Sequence, residues 1–333
     1  MQRRAFIQQT SIAATGMLLP ARVLSATKNN EMKENNQYDV IIVGGSYSGL
    51  AAGMALGRAL RKVLIIDSGN PCNKQTPHSH NFLTNDGKTP KEIAGLAKQQ
   101  VQQYDTVSFL DAQVTAGIQI ENGFEIQITS GEVFTARRLV FATGIQDLLP
   151  EIPGFAAAWG ISVLHCPYCH GYEVRHQKTG ILANGDDGFE LASLIFNWTS
   201  DLTLYTNGKS TLTNQQRDKL DKHRITIMEK EIERIAHKNG YIEQILFKDG
   251  SSAPVQALYA RLPFVQHSSV PRSLGCERSP EGYLKTDALQ RTTIPGVFAC
   301  GDNTSRIRTV ANAVSMGATA GLAVNKSLIE EDF

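Results

Sequence analysis

The chain has 333 residues, a formal net charge of +1 and 41% hydrophobic residues. This length suggests about two domains, and a charge so close to zero argues against a polyanionic partner such as nucleic acid. The sequence also contains neither a basic stripe nor a low-complexity tract, so a nucleic-acid-binding function is not expected.

The N-terminus has the features of a twin-arginine export signal. Arg3 and Arg4 precede a weakly apolar run that ends at Leu19, and Ser25-Ala26 offers small residues for cleavage. The apolar run is too short and too polar to span a bilayer. We predict a signal peptide over 1–26, a linker over 27–36 and export to the periplasm. A chance arginine pair ahead of an N-terminal helix is the alternative.

A strand, a glycine-rich turn and a helix begin at residue 38 and predict a dinucleotide-binding β-α-β unit. The turn follows the pattern G-x-G-x-x-G with serine at the second glycine. The next strand ends on Asp67, where an acidic residue binds a ribose hydroxyl. A helix N-terminus at such a turn offers unpaired amides and a partial positive charge to a pyrophosphate. The turn residues expected to bind the cofactor are Gly44, Gly45, Ser46 and Gly49.

The motif Cys166-Pro-Tyr-Cys169, followed by His170, carries the main chemical signal. Two cysteines three residues apart at a turn can close a small disulfide ring, and the pKa of one thiol is often lowered there. The same motif occurs in glutaredoxin sites and in halves of zinc sites, but no second cysteine pair follows at zinc-site spacing. We predict a redox pair and no metal.

The other cysteines lack partner spacing and are expected to be small buried residues. In an exported chain, a bridge between Cys72 and Cys276 is an open alternative. Cys300 is the remaining cysteine outside the redox motif, and no pairing is predicted for it.

A second strand, turn and helix over 180–197 predict another dinucleotide-binding unit, but its turn is altered. Ala183 replaces the glycine that permits the tight turn. The following strand, 202–205, leads to Lys209, and a single lysine lacks the bidentate geometry with which arginine binds phosphate. Binding of NAD(P)H at this second site is therefore doubtful.

Two further strands, 139–144 and 296–302, end in small-residue turns. Together with the first glycine turn and the Cys166–Cys169 motif, they make the chain beyond residue 36 resemble the low-molecular-weight thioredoxin reductases, a branch of the pyridine nucleotide-disulfide oxidoreductases. The resemblance implies an α/β fold of two Rossmann-like, three-layer ββα-type domains, the second inserted in the first. It also implies a homodimer.

In that family the outer domain binds FAD, and the inserted domain resembles an NAD(P)-binding domain and carries the redox cysteines. We predict a discontinuous FAD domain over 37–147 and 263–328, with the inserted domain over 148–262. By the resemblance, Asp302 would hold the ribityl chain, and Asn312 and Ala313 would lie by the isoalloxazine edge. The other residues predicted at the FAD site are Thr143, Gly144 and Gly301.

Within the family, the chain is similar to the FAD-dependent dithiol oxidases of the gliotoxin and holomycin type. Thioredoxin reductases that use NADPH carry an arginine pair after the second strand of the inserted domain, and they carry aspartate after the second cysteine. This chain lacks the pair and has His170, which can move protons near neutral pH. By the same resemblance His78 and His80 lie in a segment near the flavin, where a role for either is a hypothesis and an ordinary loop position the alternative.

The sequence therefore predicts an FAD-dependent dithiol/disulfide oxidoreductase with catalytic residues Cys166, Cys169 and His170. We expect it to oxidise a small dithiol or a thioredoxin-like protein, with oxygen as acceptor. The first alternative is an NAD(P)H-dependent thioredoxin-disulfide reductase. The second is a non-catalytic flavin-binding protein, which the intact redox motif disfavours.

Overall fold

Helices and strands alternate along residues 36–333, the part of the chain that the computed structural model describes. The strands are β1 (Gln37–Val43), β2 (Val63–Asp67), β3 (Val107–Asp111), β4 (Val114–Ile120), β5 (Gly123–Ile128), β6 (Val133–Phe141), β7 (Ile145–Asp147), β8 (Val163–Leu164), β9 (Thr179–Leu182), β10 (Leu202–Tyr205), β11 (Thr226–Met228), β12 (Ile232–Lys238), β13 (Tyr241–Phe247), β14 (Ser252–Pro254), β15 (Ala257–Ala260), β16 (Phe264–Gln266) and β17 (Val297–Ala299). The helices are α1 (Tyr47–Arg58), α2 (Pro90–Val101), α3 (Phe155–Ala158), α4 (Pro167–His170), α5 (Gly185–Ile195), α6 (Asn214–Lys222), α7 (Val270–Ser273) and α8 (Val310–Asp332).

The first sheet joins strands from both ends of the described chain. Its order is β3-β2-β1-β6-β5-β4, with β17 paired to β6. The β1–β2, β2–β3 and β17–β6 pairs are parallel, whereas β4, β5 and β6 form an antiparallel meander. Residues 40–43 and 63–66 are buried almost completely, as expected of parallel strands covered on both faces. The glycine turn lies between β1 and α1, at the carboxyl end of this sheet.

The second sheet is formed entirely by strands between residues 163 and 260. Its order is β11-β10-β9-β15-β8, and its neighbouring strands are parallel. An antiparallel sheet of β12, β13 and β14 packs beside it around Phe155 and Phe247. Two short antiparallel strands, β7 and β16, lie where the chain passes between the segments that form the two large sheets.

Helix α8 packs closely along α1, and small residues make this approach possible. A β-carbon at Gly317 of α8 would overlap the backbone oxygen of Ser48, and one at Gly321 would lie 2.8 Å from the backbone oxygen of Ala52. The contact holds the loop before α8 against the glycine turn. Both segments contribute to the site described below.

The mixed α/β architecture, with one Rossmann-like unit inserted in another, confirms the predicted fold class. Residues 38–333 form one compact unit, and the exact domain boundaries at 147/148 and 262/263 stay predictions. The predicted signal, 1–26, and residues 27–35 of the predicted linker lie outside the described residues. Among the helices that are described, none is both long enough and apolar enough to cross a membrane.

Candidate active site

The turn between β1 and α1 leaves its helix amides available to a ligand. Gly44 has φ +108°, and a β-carbon there would overlap the carbonyl of Ala142. Ser46 is the N-cap residue of α1, and within the described chain its side chain makes no capping hydrogen bond. The first turn of α1 also carries no acidic residue. An anion can therefore meet the amides and the positive end of this helix.

A cavity of about 840 Å³ begins at this turn. It is lined by residues from both ends of the described chain, as the insertion of one sheet between the strands of another requires. The predicted site residues that line it are Gly44, Gly45, Ser46, Asp67, Thr143, Gly144, Asp302 and Ala313. Gly49 lies behind the turn, where a β-carbon would overlap the carbonyl of Gly44.

These residues fit FAD. The cavity lies in the size range of ligand sites of about 300–1,000 Å³, and its glycine turn presents amides where a pyrophosphate binds. Asp67 lies at the end of β2 beside Gly45, in a position to bind ribose hydroxyls. Burial raises the pKa of Asp302 to about 6, with Arg308 opposing and Asp147 adding to the shift. A partly protonated carboxyl group can both donate to and accept from the hydroxyls of a ribityl chain.

The two residues predicted to lie by the flavin at the start of α8 differ in their contacts. Ala313 lines the cavity, but the side-chain amide of Asn312 donates to the carbonyl of Ile307 and to the sulfur of Met316. Asn312 is not among the residues found to line the cavity, whereas Thr309 and Val310 are. Of the two residues predicted at this helix end, Ala313 therefore lines the cavity and Asn312 does not.

The redox cysteines lie at the start of the short helix α4. Cys166 is its N-cap residue, and the backbone N–H of Cys169 donates to the Cys166 carbonyl at 3.3 Å. A hydrogen bond from the Cys169 thiol lowers the pKa of Cys166, helped by the amides of Cys169 and Tyr168 and by the charge of Arg308 against the effect of burial. The same hydrogen bond, with burial, raises the pKa of Cys169. Cys166 is thus the thiol that ionises first.

A smaller cavity of about 80 Å³ lies beside the large one, next to Cys169. Cys169 and His170 line it, and it shares Cys72, His165 and Arg308 with the large cavity. Cys166 is not among its lining residues. The structure therefore places Cys169, rather than Cys166, on the side of the cavity that fits FAD.

Two histidines beside the cysteines are held neutral. Burial, with a contribution from His80, lowers the pKa of His170 to about 4. Burial, Arg308 and His170 lower the pKa of His165 to about 3. The Nε2 atom of His165 is buried and has no hydrogen-bond partner among the described residues. Near neutral pH both rings are therefore uncharged, and each can accept a hydrogen bond at its unprotonated nitrogen.

The two histidines of the segment after Asp67 differ in their contacts. The Nδ1 atom of His78 lies 2.9 Å from the carbonyl of Gly87, a contact within its own loop. His80 instead lines the smaller cavity, with its ring nitrogens 3.6 Å from Asp86 and 3.6 Å from Glu173. His80 is thus the member of this pair that faces the redox site.

Sequence reasoning missed the ion pair of Arg308 and Asp147. The guanidinium of Arg308 donates to both carboxylate oxygens of Asp147 at 2.8 Å, and its Nε lies 3.8 Å from Asp302. No short motif relates residues 161 positions apart, so only the tertiary structure reveals this pair. The hydroxyl of Tyr259, buried near both cysteines, was missed for the same reason.

The other cysteines are free thiols. Cys276 is buried with its sulfur 3.5 Å from the hydroxyl of Thr292, and Cys300 is buried next to Ser48. Cys72 lies in the cavity with its sulfur 4.0 Å from Asp302. Its accessible surface faces the cavity, and this enclosure, with Asp302, raises the pKa of its thiol to about 12. The open alternative of a Cys72–Cys276 bridge is therefore wrong.

The second glycine turn is filled by protein side chains. The side-chain oxygen of Asn184 accepts from the backbone N–H groups of Gly185 at 2.8 Å and Thr211 at 2.9 Å. Its amide nitrogen donates to the carbonyl of Lys209 at 3.0 Å. The first turn of α5 carries Asp186 and Asp187. This helix N-terminus already has a partner and negative charge, unlike that of α1.

Arg261 and other side chains fix these acidic residues in place. Arg261 pairs with Asp187 and with Glu190, the latter at 2.9 Å, and Gln216 donates to Asp186 at 2.7 Å.

No group of three or more histidine, cysteine, aspartate or glutamate side chains in residues 36–333 is arranged to hold a metal ion.

Comparison with known proteins agrees with this geometry. A family model described as pyridine nucleotide-disulphide oxidoreductase matches residues 38–317. Thioredoxin reductase tcpT of Claviceps purpurea is 32% identical over 311 residues, which cover 90% of this chain and 97% of that protein. The chain is thus similar to thioredoxin reductase-like proteins over almost its whole described length.

Solved structures give the same result. The crystal structure of an oxidoreductase from Agrobacterium tumefaciens has a TM-score of 0.83 and 36% identity, covering 88% of this chain and 99% of that one. The crystal structure of HlmI has a TM-score of 0.85 and 31% identity, covering 89% and 94%. The resemblance predicted from the redox motif and the glycine turns is confirmed.

Proposed function

This chain belongs to the pyridine nucleotide-disulphide oxidoreductase family, and from that premise we propose that it oxidises substrate dithiols and passes their electrons to oxygen. The family assignment makes it a flavin-dependent thiol–disulfide oxidoreductase, and the family binds FAD, as predicted. The proposal concerns the direction of electron flow. It rests on one observation, the difference between the two glycine turns.

The first turn is suited to a dinucleotide and the second is not. The N-cap side chain of α1 makes no capping hydrogen bond in the described structure, and no carboxylate lies in its first turn. At α5 the Asn184 side chain accepts from the amide of Gly185, and Asp186 and Asp187 lie in the first turn. Carboxylates repel a pyrophosphate at the position where it would otherwise gain from the helix dipole. This arrangement favours electron entry from dithiols over entry from NAD(P)H.

The redox pair supports exchange with a dithiol. One thiolate of the substrate attacks the sulfur of Cys166 in the Cys166–Cys169 disulfide, and Cys169 leaves as a thiolate. The second substrate thiolate then displaces Cys166 and closes the substrate disulfide. The protein is left with both cysteines reduced, and the substrate has lost two electrons and two protons.

FAD, when bound, supplies the two-electron acceptor chemistry that returns the dithiol to the disulfide. In this proposal oxygen takes the electrons finally, so one substrate dithiol and one oxygen molecule give one substrate disulfide and one hydrogen peroxide. The position of Cys169 on the cavity side supports its role as the cysteine that faces the cofactor.

His170 is the proposed proton acceptor of the pair. Its ring directly follows Cys169 and lines the same cavity. Burial and His80 lower its pKa to about 4, so the ring is neutral near pH 7 and can accept a hydrogen bond from a thiol. It holds the proton only while a thiolate beside it stabilises the imidazolium. The nearby His80 contacts Asp86 and Glu173, both of which are exposed.

An NAD(P)H-dependent thioredoxin-disulfide reductase is the second candidate. Its support is the name of a relative, thioredoxin reductase tcpT, and the shared fold. The two candidates use the same cysteines in opposite directions, and they differ in what reduces the flavin.

Substrate, assembly and location are part of the proposal. Tyr168, between the redox cysteines, is 61% exposed, so a small dithiol or a thioredoxin-like protein can reach this face.

We propose a homodimer, which light scattering of the purified protein tests. Export by the twin-arginine route rests on Arg3 and Arg4, and fractionation of cells that express an Arg3→Lys/Arg4→Lys variant tests it.

Anaerobic reduction of the bound flavin tests the main proposal. NADPH, NADH and a small dithiol are added separately, and the flavin absorbance is followed before air is admitted and peroxide is assayed. We expect bleaching by the dithiol alone and peroxide on reoxidation. Rapid bleaching by a nicotinamide would overturn the oxidase function and establish the reductase.

A further inference from the structure

Arg308 is a buried cation at the junction of the two cavities. Its side chain is 13% exposed, and it lines both the large cavity and the smaller one that holds Cys169. It lies in the loop immediately before α8, which the packing of α8 on α1 fixes in place. A charge is costly to bury without a partner, so its presence here requires an explanation.

Asp147 supplies only part of that explanation. Two guanidinium nitrogens of Arg308 donate to the two oxygens of Asp147 at 2.8 Å each. The third guanidinium nitrogen, Nε, is buried without a hydrogen-bond partner in the described structure, and its distance to Asp302 is 3.8 Å. A fully structural ion pair would be expected to satisfy all its donors. The Nε–H and part of the positive charge thus remain available to the site.

Both redox cysteines are among the groups that the charge of Arg308 reaches. Its positive charge lowers the pKa of Cys166, Cys169 and Cys72, and it acts on His165 in the same direction. The other charged groups near it are Asp147 and Asp302, and the carboxyl of Asp302 has a raised pKa of about 6 because of its burial. Burial disfavours the charge of Arg308 itself, but the Asp147 contact keeps the pKa of the guanidinium above its ordinary value.

We propose that Arg308 is an electrostatic positioning residue of the redox site, which stabilises negative charge on the Cys166–Cys169 thiols, and that Asp147 orients it for this role. Each disulfide opening leaves a thiolate in a partly enclosed site. A fixed cation nearby lowers the free energy of that thiolate without moving during the reaction. The proposal rests on the dithiol exchange described above but is independent of the final electron acceptor.

The test measures the thiol itself, so that its failure is distinguishable from failure of the oxidase function. Reduced, FAD-loaded full-length protein is treated with iodoacetamide under nitrogen at a series of pH values. Alkylation of Cys166 is followed by peptide mass spectrometry, which separates it from the other four cysteines. The pH at half-maximal rate reports ionisation of that thiol. Turnover with oxygen or NADPH does not enter the measurement.

Removing the charge of Arg308 and removing its counter-ion should shift the pH midpoint of Cys166 alkylation in opposite directions. Arg308→Met should raise the midpoint by about one pH unit, as expected for loss of a nearby opposite charge. Asp147→Asn keeps the side-chain shape, frees the arginine from its counter-ion and should lower the midpoint. Arg308→Lys retains the charge and should stay near the parent value. Arg306→Met, which removes an exposed arginine two residues away, is the matched control and should change nothing.

If the alkylation midpoint shifts in the same direction in Arg308→Met and in Asp147→Asn, the two residues act on the cysteines through packing and not through charge. That result would overturn the proposal. An unchanged midpoint in Arg308→Met would do the same. If Arg308→Met does not fold, Asp147→Asn decides the matter. A midpoint equal to or above the parent value in that variant contradicts the proposal.

Discussion

Ser46 and Asn184 are the N-cap residues of corresponding helices, each following the first strand of a dinucleotide-binding unit, but in the described structure only the Asn184 side chain binds an amide of its helix. The Asn184 oxygen accepts from Gly185 at 2.8 Å, whereas the Ser46 hydroxyl leaves the amides of α1 to the cavity. The same local fold therefore gives one open turn and one filled turn.

Ser46→Asp should convert the open turn into one that resembles the second. A carboxylate at this N-cap would bind the α1 amides and repel the pyrophosphate of FAD. We expect the dissociation constant for FAD to rise at least about 10-fold, which corresponds to about 1.4 kcal/mol. Titration of the apoprotein with FAD, followed by flavin fluorescence, measures this change.

Asn184→Asp is the matched control, since it adds the same charge at the corresponding residue of the other turn. It should leave FAD affinity unchanged. Equal affinities in the Ser46→Asp variant and the parent protein would show that the first turn does not bind the pyrophosphate.

Substitution of the two redox cysteines should have different effects. Cys166→Ser removes the sulfur that the substrate attacks and should reduce dithiol-driven flavin reduction at least about 1,000-fold. Cys169→Ser keeps that sulfur but removes the resolving thiol, so a mixed disulfide between Cys166 and an oxidised substrate should accumulate. Stopped-flow absorbance measures the first effect and intact-protein mass spectrometry the second.

Cys276→Ser is the control for these variants because Cys276 is buried beside Thr292, away from both cavities. Its flavin reduction rate should match that of the parent. Accumulation of the mixed disulfide in Cys166→Ser rather than Cys169→Ser would reverse the assignment of the two cysteines.

Acid should destabilise the protein partly through His165. Burial lowers the pKa of this histidine from 6.5 to about 3 in the folded state, so the unfolded chain binds the proton more tightly. The stabilising effect of the neutral ring is fully present above about pH 6.5 and is lost progressively as the pH falls toward 3. Asp302, with a pKa raised to about 6 by burial, has the opposite effect between pH 6 and 3.8.

The variant His165→Gln isolates the histidine contribution from that of Asp302. Urea unfolding at pH 7.5 and pH 5.5 should show a loss of stability on acidification that is about 1 kcal/mol smaller in the variant than in the parent. An identical loss in both proteins would mean that His165 is not held neutral in the folded state.

The contact of α8 with α1 predicts a strong effect of a single methyl group. Gly317→Ala would force a β-carbon against the backbone oxygen of Ser48, which belongs to the first turn of α1. We expect a loss of about 1 to 3 kcal/mol in unfolding free energy, as for other overpacked sites. Weaker FAD binding should accompany it, because the shift reaches the glycine turn.

Ser315→Ala lies on the exposed face of the same helix and serves as the comparison. Its thermal unfolding midpoint should differ little from that of the parent. If Gly317→Ala is as stable as Ser315→Ala, the two helices do not pack as closely as the structure indicates.

Local patterns in the sequence were sufficient for the fold class, the family and FAD as cofactor. The apolar run of β1, the glycine turn and Asp67 lie within 30 residues, and their spacing follows from the geometry of one β-α-β unit. The Cys166–Cys169 pair is equally local, since a two-residue spacer sets the ring that the disulfide closes. The altered turn at Ala183 was also visible in the sequence, although its filling by Asn184 was not.

Contacts between distant segments were decided only by the tertiary structure. Asp147 meets Arg308, and His80 meets Glu173, only in the folded chain, because the members of each pair are far apart in the sequence. The sequence predicted that the start of α8 lies at the FAD site. Whether Asn312 or Thr309 faces the cavity depends on the rotation of α8 about its axis, and the packing of α8 on α1 sets that rotation. Backbone motifs are determined by neighbouring residues along the chain, whereas the charge and the side chains of the site are determined by packing between segments that no local pattern relates.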